Sequence, residues 1–503
     1  MKTRREAPAD QAYAHVANLL QQNQLAAVEA FLAPFLTNFA CDPRLLAIAG
    51  MARLKSGQYE EAIKVLARAC RSDPKTAIYH QALGDANYAL RRADEALDAF
   101  NRAIIVDPQL SLAYIGKARA LGLKDRHVEA TALLESRVAN GDLDHRVLLE
   151  LSIFQTALAR PTDAIETCVL AAKTYPKSSV AWHNLAAAYC DYGLFEDALK
   201  ATESARRLRE LNLHTELVRA RALTGLGKLD EAEHAFEKVC TGAPLYAEAL
   251  RDEAQLIWMR TGDTKAASRR LAAGVAANPQ DGQLASTLAK ALHFGGDLEG
   301  ARQTLAAALD RILEPHPGLI LHAAELAIEA GDVEQGLALS ERALAFDPEL
   351  PAHLYRWCDA AMAMGRGADA FAAAKKLVER DPFDQQALAR LATAARLIDH
   401  PLAQELFDYE TLVRAYKIET PKGWSDLDSY LADLKSVLLV RHSFKEHPFD
   451  QSLRHGGQAT LNLGRDKSPE ILAFATAIDE PIRVHIEHLR ALNGRLGARA
   501  RDS

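Results

Sequence analysis

Three pairs of the form H-x-E are the first residues whose types and spacing suggest a metal: His127 and Glu129, His214 and Glu216, His485 and Glu487. Each lies in a segment with the apolar spacing of a helix rather than on a strand, so none is expected to hold a metal. The 17 histidines show no clustered ligand spacing. Cys41, Cys70, Cys168, Cys190, Cys240 and Cys358 include no C-x-x-C pair, which argues against a zinc ribbon or redox motif and for isolated buried thiols in a reducing compartment. There is no P-loop, no G-x-S-x-G and no H-E-x-x-H, hence no phosphate cradle and no evident nucleophile. Polar groups concentrate instead in one late stretch, HSFKEHPFDQSLRHGGQATLNLGRDKS, which contains His447, Asp450, Gln451, Arg454 and Gln458. That stretch reads as too polar for a core.

Composition narrows the classes. The chain has 503 residues, 60 Lys+Arg against 67 Asp+Glu, and a net charge of -7. With 49% hydrophobic and 25% charged residues it resembles an ordinary globular protein, with enough apolar surface to exclude disorder as the main state. The acidic balance and the lack of a basic stripe argue against nucleic-acid binding. No apolar leader and no long uninterrupted apolar run is visible, so no membrane partner is expected and a cytoplasmic location is the default. Aromatic residues are only 6%. That favours helices packed closely through small side chains.

A repeat organises most of the chain. Gly50, Gly57, Ala62, Ala69 and Pro74 recur 34 residues on as Gly84, Ala96, Ala103 and Pro108. Further steps reach Ala130, then Ala164, Ala171 and Pro176, then Ala198 and Ala205, then Ala232 and Pro244. The register then slips by one residue and resumes with Gly262, Ala267 and Pro279, Gly296, Ala301 and Ala308, Gly331, Ala343 and Pro348, and Gly365, Ala370 and Pro382. Units start near residues 9, 43, 77, 111, 145, 179, 213, 248, 282, 317 and 351, which gives about eleven. Each offers two helices of about a dozen residues. The mid-unit Gly stops the first helix, and the late Pro stops the second. Stacked pairs bury what no single pair can, so the Ala and Leu stripes are core.

The run Trp182, Leu185, Tyr189, Gly193, Ala198 and Ala205 resembles the tetratricopeptide repeat family. The resemblance implies an all-α fold: a right-handed superhelix, or α-solenoid, of about eleven helical hairpins over residues 9–384, followed by a helical C-terminal extension. It also implies a concave face lined by the first helix of each pair, where a protein or peptide partner would bind. In this register the inner positions include Gln81, Asp85, Arg119, His183, Asn184, His214, Arg221 and Asp252. They share no single charge sign. No Lys/Asn set of the carboxylate-clamp kind recurs, and no asparagine ladder.

After Pro382 the repeat fades. Residues 1–8 and 491–503 read as disordered ends, and residues 385–441 as capping helices. One of these is Gln385 to Leu397. A second runs from Leu402 to Ile418. A third runs from Ser425 to Val440, with Ser425 and Asp428 near its start. A last helix starts at Ser468-Pro469-Glu470 and runs to about Leu489, kinked near Pro481. Between them, His447-Pro448-Phe449-Asp450-Gln451-Ser452-Leu453-Arg454, then Gly456-Gly457-Gln458 and Thr460, resembles a segment of a bacterial family. That family joins tetratricopeptide repeats to a 2-oxoglutarate/iron(II)-dependent oxygenase domain. His455 and Ala459 depart from its pattern.

The second resemblance covers about residues 405–490, with 442–490 matching the first part of the oxygenase domain. It implies Fe(II) and 2-oxoglutarate as cofactors only if a catalytic β-helix is supplied. No H-x-D occurs, so no iron ligand and no catalytic residue is assigned in this chain. Two readings follow. One is a non-catalytic repeat scaffold with a truncated oxygenase-like segment. The other is a fragment of a working oxygenase that hydroxylates a protein or peptide. Gln451, Arg454 and Gln458 either anchor a substrate and brace the further domain, or hydrogen-bond within a loop that caps the solenoid.

Overall fold

A computed structural model describes residues 6–22, 24–36, 42–208, 212–442, 444–449 and 466–492. Among them every regular element is a helix. The chain divides into two compact units, residues 1–218 and 219–503. In the first lie α1 (Glu6–Gln21), α2 (Leu25–Leu36), α3 (Pro43–Lys55), α4 (Tyr59–Ser72), α5 (Ala77–Ala89), α6 (Ala93–Val106), α7 (Ser111–Gly122), α8 (His127–Ala139), α9 (His145–Ala157), α10 (Pro161–Thr174), α11 (Ser179–Asp191) and α12 (Phe195–Leu208). The division falls inside α13 (Leu213–Gly225). The second unit continues with α14 (Leu229–Gly242), α15 (Ala247–Thr261), α16 (Thr264–Ala277), α17 (Gly282–Phe294), α18 (Leu298–Arg311), α19 (Pro317–Glu329), α20 (Val333–Leu344), α21 (Pro351–Ala363), α22 (Gly367–Arg380) and α23 (Gln385–Leu397). It closes with α24 (Leu402–Leu406), α25 (Tyr409–Leu412), α26 (Leu427–Arg441) and α27 (Pro469–Ala491).

Within each unit consecutive helices, odd-numbered A and even-numbered B, pack as the helical hairpins expected, and A helices also pack on the next A helix, as α3 does on α5 and α17 on α19. Small residues permit this. Gly84 on α5 and Gly116 on α7 face the Phe100 ring of α6, and a Cβ on either would come within 2.6 and 2.2 Å of its Cε1. Phe100 is fully buried, with Ala96, Leu97, Ile115, Leu134 and Phe154 around it. In the second unit, Leu305, Leu319 and Leu326 pack with Ala285, Ala289 and Ala301 in the same way.

The A-to-B turn takes one left-handed residue. Gly57, Gly193, Gly227, Gly262, Gly296, Gly331 and Gly365 provide it at positive φ. Arg91, Asp125 and Ala159 hold the same place with φ of 54–57°, although glycine is what the sequence leads one to expect there. Stacking on both sides offsets a backbone cost of about 1–2 kcal/mol for such a residue. Asp399, φ 50°, occupies it after α23, which makes α23 a twelfth A helix.

The register corrects the sequence reading. A helices start 34 residues apart from Pro43 to Ala247, whereas the slip was expected before residue 248. One added residue lies within α15: Gly262 comes 15 positions after Ala247, where Gly227 and Gly296 come 14 after Leu213 and Gly282. A second lies in the connection before α19, so Gly282 and Pro317 are 35 apart. α1 begins at Glu6, ahead of the boundary expected at residue 9.

The helix expected from Leu402 to Ile418 is also corrected: only the two short turns α24 and α25 form. The Asp408 carboxylate accepts the Thr411 amide and starts a new turn, and side chains of that type compete with a continuous helix. Asp426, not Ser425, caps α26 by accepting the Ser429 amide. Ser468 precedes α27 as expected, but its hydroxyl accepts from Arg441 Nη2 (2.8 Å) instead of capping. Pro481 lies inside α27. Tyr430 and Ile471, both fully buried, hold α26 and α27 together. Five cysteines (Cys70, Cys168, Cys190, Cys240 and Cys358) are buried, and burial pushes the thiols of Cys240 and Cys358 up to about 12. No described helix is long and apolar enough to cross a membrane.

Candidate functional site

The A helices present corresponding positions side by side, one repeat apart. Ion pairs cross between them. Arg119 on α7 reaches Glu150 on α9 at 2.7 Å, and Arg221 on α13 reaches Asp252 on α15 at 2.5 Å. Arg221 also meets Glu248 at 3.2 Å. In the opposite sense Arg356 on α21 reaches Glu325 on α19 at 2.8 Å, and Arg390 on α23 reaches Asp359 on α21 at 2.7 Å. Arg119, whose side chain is 48% exposed, and Arg221 thus tie neighbouring repeats together.

Other expected groove residues are also turned to internal work. Gln81 is buried, not exposed as the register suggested, and donates to the Asp85 carboxylate. Burial pushes the Asp85 carboxyl up to about 7, against the pull of Arg119. His183 lies 3.2 Å from the Thr215 hydroxyl, and burial, with His214 nearby, pushes its imidazole pKa down. Asn184 borders a recess of about 10 Å³, room for a single water.

A larger opening lies in the second unit, on the faces of α17, α19 and α21. Its volume is about 750 Å³. Ile312, Leu319 and Leu321 give it apolar wall; Gln283, Ser286, Lys290, Glu325 and Arg356 give it polar groups. Ser286 and His322 share a hydrogen bond of 2.8 Å. His316 accepts the Gly318 amide at the start of α19. The added residue before α19 lengthens the connection that forms one side of this cleft. The sequence reading did not name these residues. Ser286 and Leu321 hold the place of Gln81, and Lys290 and Glu325 that of Asp85 and Arg119, so part of the signal was present.

Of the late polar stretch, Asp450, Gln451, Arg454 and Gln458 lie outside the described residues, as do the ends 1–5 and 493–503. His447 does not. It is 3% exposed and its ring lies 5.9 Å from Trp258 on α15 and 6.2 Å from Phe294 on α17. Phe449 is 5% exposed and 6.1 Å from Phe294. The stretch expected to be too polar for a core thus sends two rings into one.

Iron(II) does not fit the described residues. His485 Nδ1 sits 3.1 Å from the Tyr416 hydroxyl, and His488 Nε2 sits 2.8 Å from the Thr411 carbonyl oxygen. The acids of all three H-x-E pairs face arginines: Glu129 with Arg126, Glu216 with Arg206, Glu487 with Arg490. No three His, Cys, Asp or Glu side chains among the described residues gather as a metal site.

Residues 49–111 match the family model described as tetratricopeptide repeat. Solved structures similar to it include YrrB, described as a tetratricopeptide repeat protein with an unusual peptide-binding site: 15% identity, 37% of this chain and 97% of that one, TM-score 0.31. The type IV pilus biogenesis factor PilW is similar at 18% identity, over 42% of this chain and 97% of its own, TM-score 0.37. PilF of Pseudomonas aeruginosa is similar at 18% identity, over 42% and 96%, TM-score 0.36. A comparison with curated proteins finds no match.

Proposed function

We propose that this tetratricopeptide-repeat chain is a scaffold that binds an extended segment of a protein partner, with the cleft on α17, α19 and α21 as its principal seat. The cleft of about 750 Å³ carries the reading. Its volume is in the range of sites that enclose a few side chains. Apolar wall residues accept a side chain, while Ser286, Gln283 and the Glu325–Arg356 pair offer both donors and acceptors to a peptide backbone. Long repeat arrays commonly act through such extended surfaces. Nucleic acid is not among the partners in this reading: the charge is -7, and Arg119, Arg221, Arg356 and Arg390 are each opposed by a carboxylate. No oxygenase chemistry is assigned to the described residues.

Peptides selected from a displayed library on the full chain provide the test. Their affinity is expected to fall about 30-fold in Leu321→Asp, equivalent to about 2 kcal/mol of lost apolar contact. Arg356→Glu is expected to weaken them as well, by placing a second carboxylate beside Glu325. Titration calorimetry reads both. Affinities unchanged in both variants would remove the cleft from the account.

A further inference from the structure

The residues from Lys445 to Phe449 lie on the second unit as a bound peptide would. The Lys445 and Glu446 amides both donate to the Met259 carbonyl oxygen, at 2.8 and 3.2 Å. The Trp258 indole N–H donates to the His447 carbonyl oxygen at 3.0 Å. The Phe449 amide donates to Gln255 Oε1 at 3.2 Å. Backbone groups thus supply the polar contacts, and two buried rings supply the apolar ones. This is the division of labour by which extended peptides are recognised.

The seat exists because α15 is irregular. In other hairpins the residue before the B helix donates back to the carbonyl five residues earlier, closing the A helix: Lys228 to Leu223, Asp297 to Leu292, Asp332 to Ala327. At the end of α15 the Asp263 amide bonds to the Thr261 hydroxyl instead, at 3.0 Å. The Gly262 amide meets the Trp258 carbonyl four residues back, where Gly227, Gly296 and Gly331 meet the carbonyl three residues back, so the Met259 carbonyl is left to receive the two incoming amides. The residue added within α15 therefore opens a helix end that a second chain segment satisfies. Gln255 holds the same place in α15 as Asp85 in α5, Arg119 in α7 and Arg221 in α13, so the segment lies along the A-helix face.

We infer that the Gln255–Trp258–Met259–Phe294 surface is a recognition site for an extended peptide of the pattern ring–Pro–ring, filled in cis by His447-Pro448-Phe449 and open to a partner that carries the same pattern. The inference deepens the peptide-binding reading by naming a second seat and its ligand. Its probe is the chain's own sequence, so failure of the cleft leaves it standing. A tethered segment competes at an effective concentration on the order of millimolar.

The experiment titrates a fluorescein-labelled peptide with the sequence of residues 442–452 against the full chain, read by anisotropy. In His447→Ser/Phe449→Ser the internal segment is disengaged, and saturable binding is expected. Wild type is expected to bind at least about tenfold more weakly, because its own segment competes. Adding Trp258→Ala to the double variant is expected to abolish binding. Adding Gln255→Ala, which removes one hydrogen bond and leaves the packing, is expected to weaken it about fivefold. Equal binding to wild type and to the double variant overturns the inference. So does an absence of saturable binding to a double variant whose circular dichroism matches wild type.

Discussion

Asp85→Asn will stabilise the first unit at pH 8 and remove a fall in stability between about pH 4 and pH 7. The Asp85 carboxyl ordinarily titrates at 3.8, and burial on α5 raises it to about 7. Between these values the folded chain holds a proton that the unfolded chain has released. Stability then decreases as pH rises, since the native state binds more protons than the unfolded state. The shift is about three pH units at roughly 1.4 kcal/mol each, so the penalty at pH 8 is on the order of 4 kcal/mol. Arg119 pulls the other way, but its guanidinium is held by Glu150 at 2.7 Å. Asparagine keeps the shape and an acceptor for Gln81 without a charge to desolvate. Urea unfolding followed by circular dichroism at pH 5 and pH 8 reads the effect. A variant whose stability falls with pH as steeply as wild type would refute it.

Phe100→Ala will cost the first unit about 3–5 kcal/mol, the range for emptying a buried phenylalanine site. The ring is fully buried and shared by two A helices, so its loss unseats α5 and α7 together. Gly116→Ala tests the same wedge from the other side. The added Cβ falls 2.2 Å from Phe100 Cε1, and overpacking of this kind costs about 1–3 kcal/mol. Phe100→Leu combined with Gly116→Ala is expected to cost less than the sum of the two, because the smaller side chain makes room for the methyl. Denaturant titrations of the three variants check this. Additive costs would mean that the ring and the glycine do not share one space.

The hairpins were legible because their crossings need small residues, and Gly50, Ala62, Ala69 and their 34-residue echoes mark those crossings. The turns were less so. Arg91, Asp125 and Ala159 adopt the glycine conformation under the constraint of their neighbours, and a residue type alone does not report that constraint. Short turns replaced the helix expected at 402–418 because one carboxylate, Asp408, outcompeted an amphipathic pattern. The residues expected to line a groove lie on A helices, yet their roles depended on partners 31 residues away, such as Glu150 for Arg119 and Asp252 for Arg221. The docked segment was illegible in itself, since it pairs residues about 190 positions apart. Its trace in the sequence was the slip in the repeat, where one added residue leaves α15 with an open end. The second slip, before α19, borders the cleft. Irregularities in the period, more than the period itself, point to the candidate sites.

The most direct test of the peptide-binding account is hydrogen–deuterium exchange of the full chain with and without a library-selected peptide. The account predicts slowed exchange in Gly282–Phe294, Pro317–Glu329 and Pro351–Ala363, the helices that border the cleft. Protection confined to other helices, or none at saturating peptide, would contradict it.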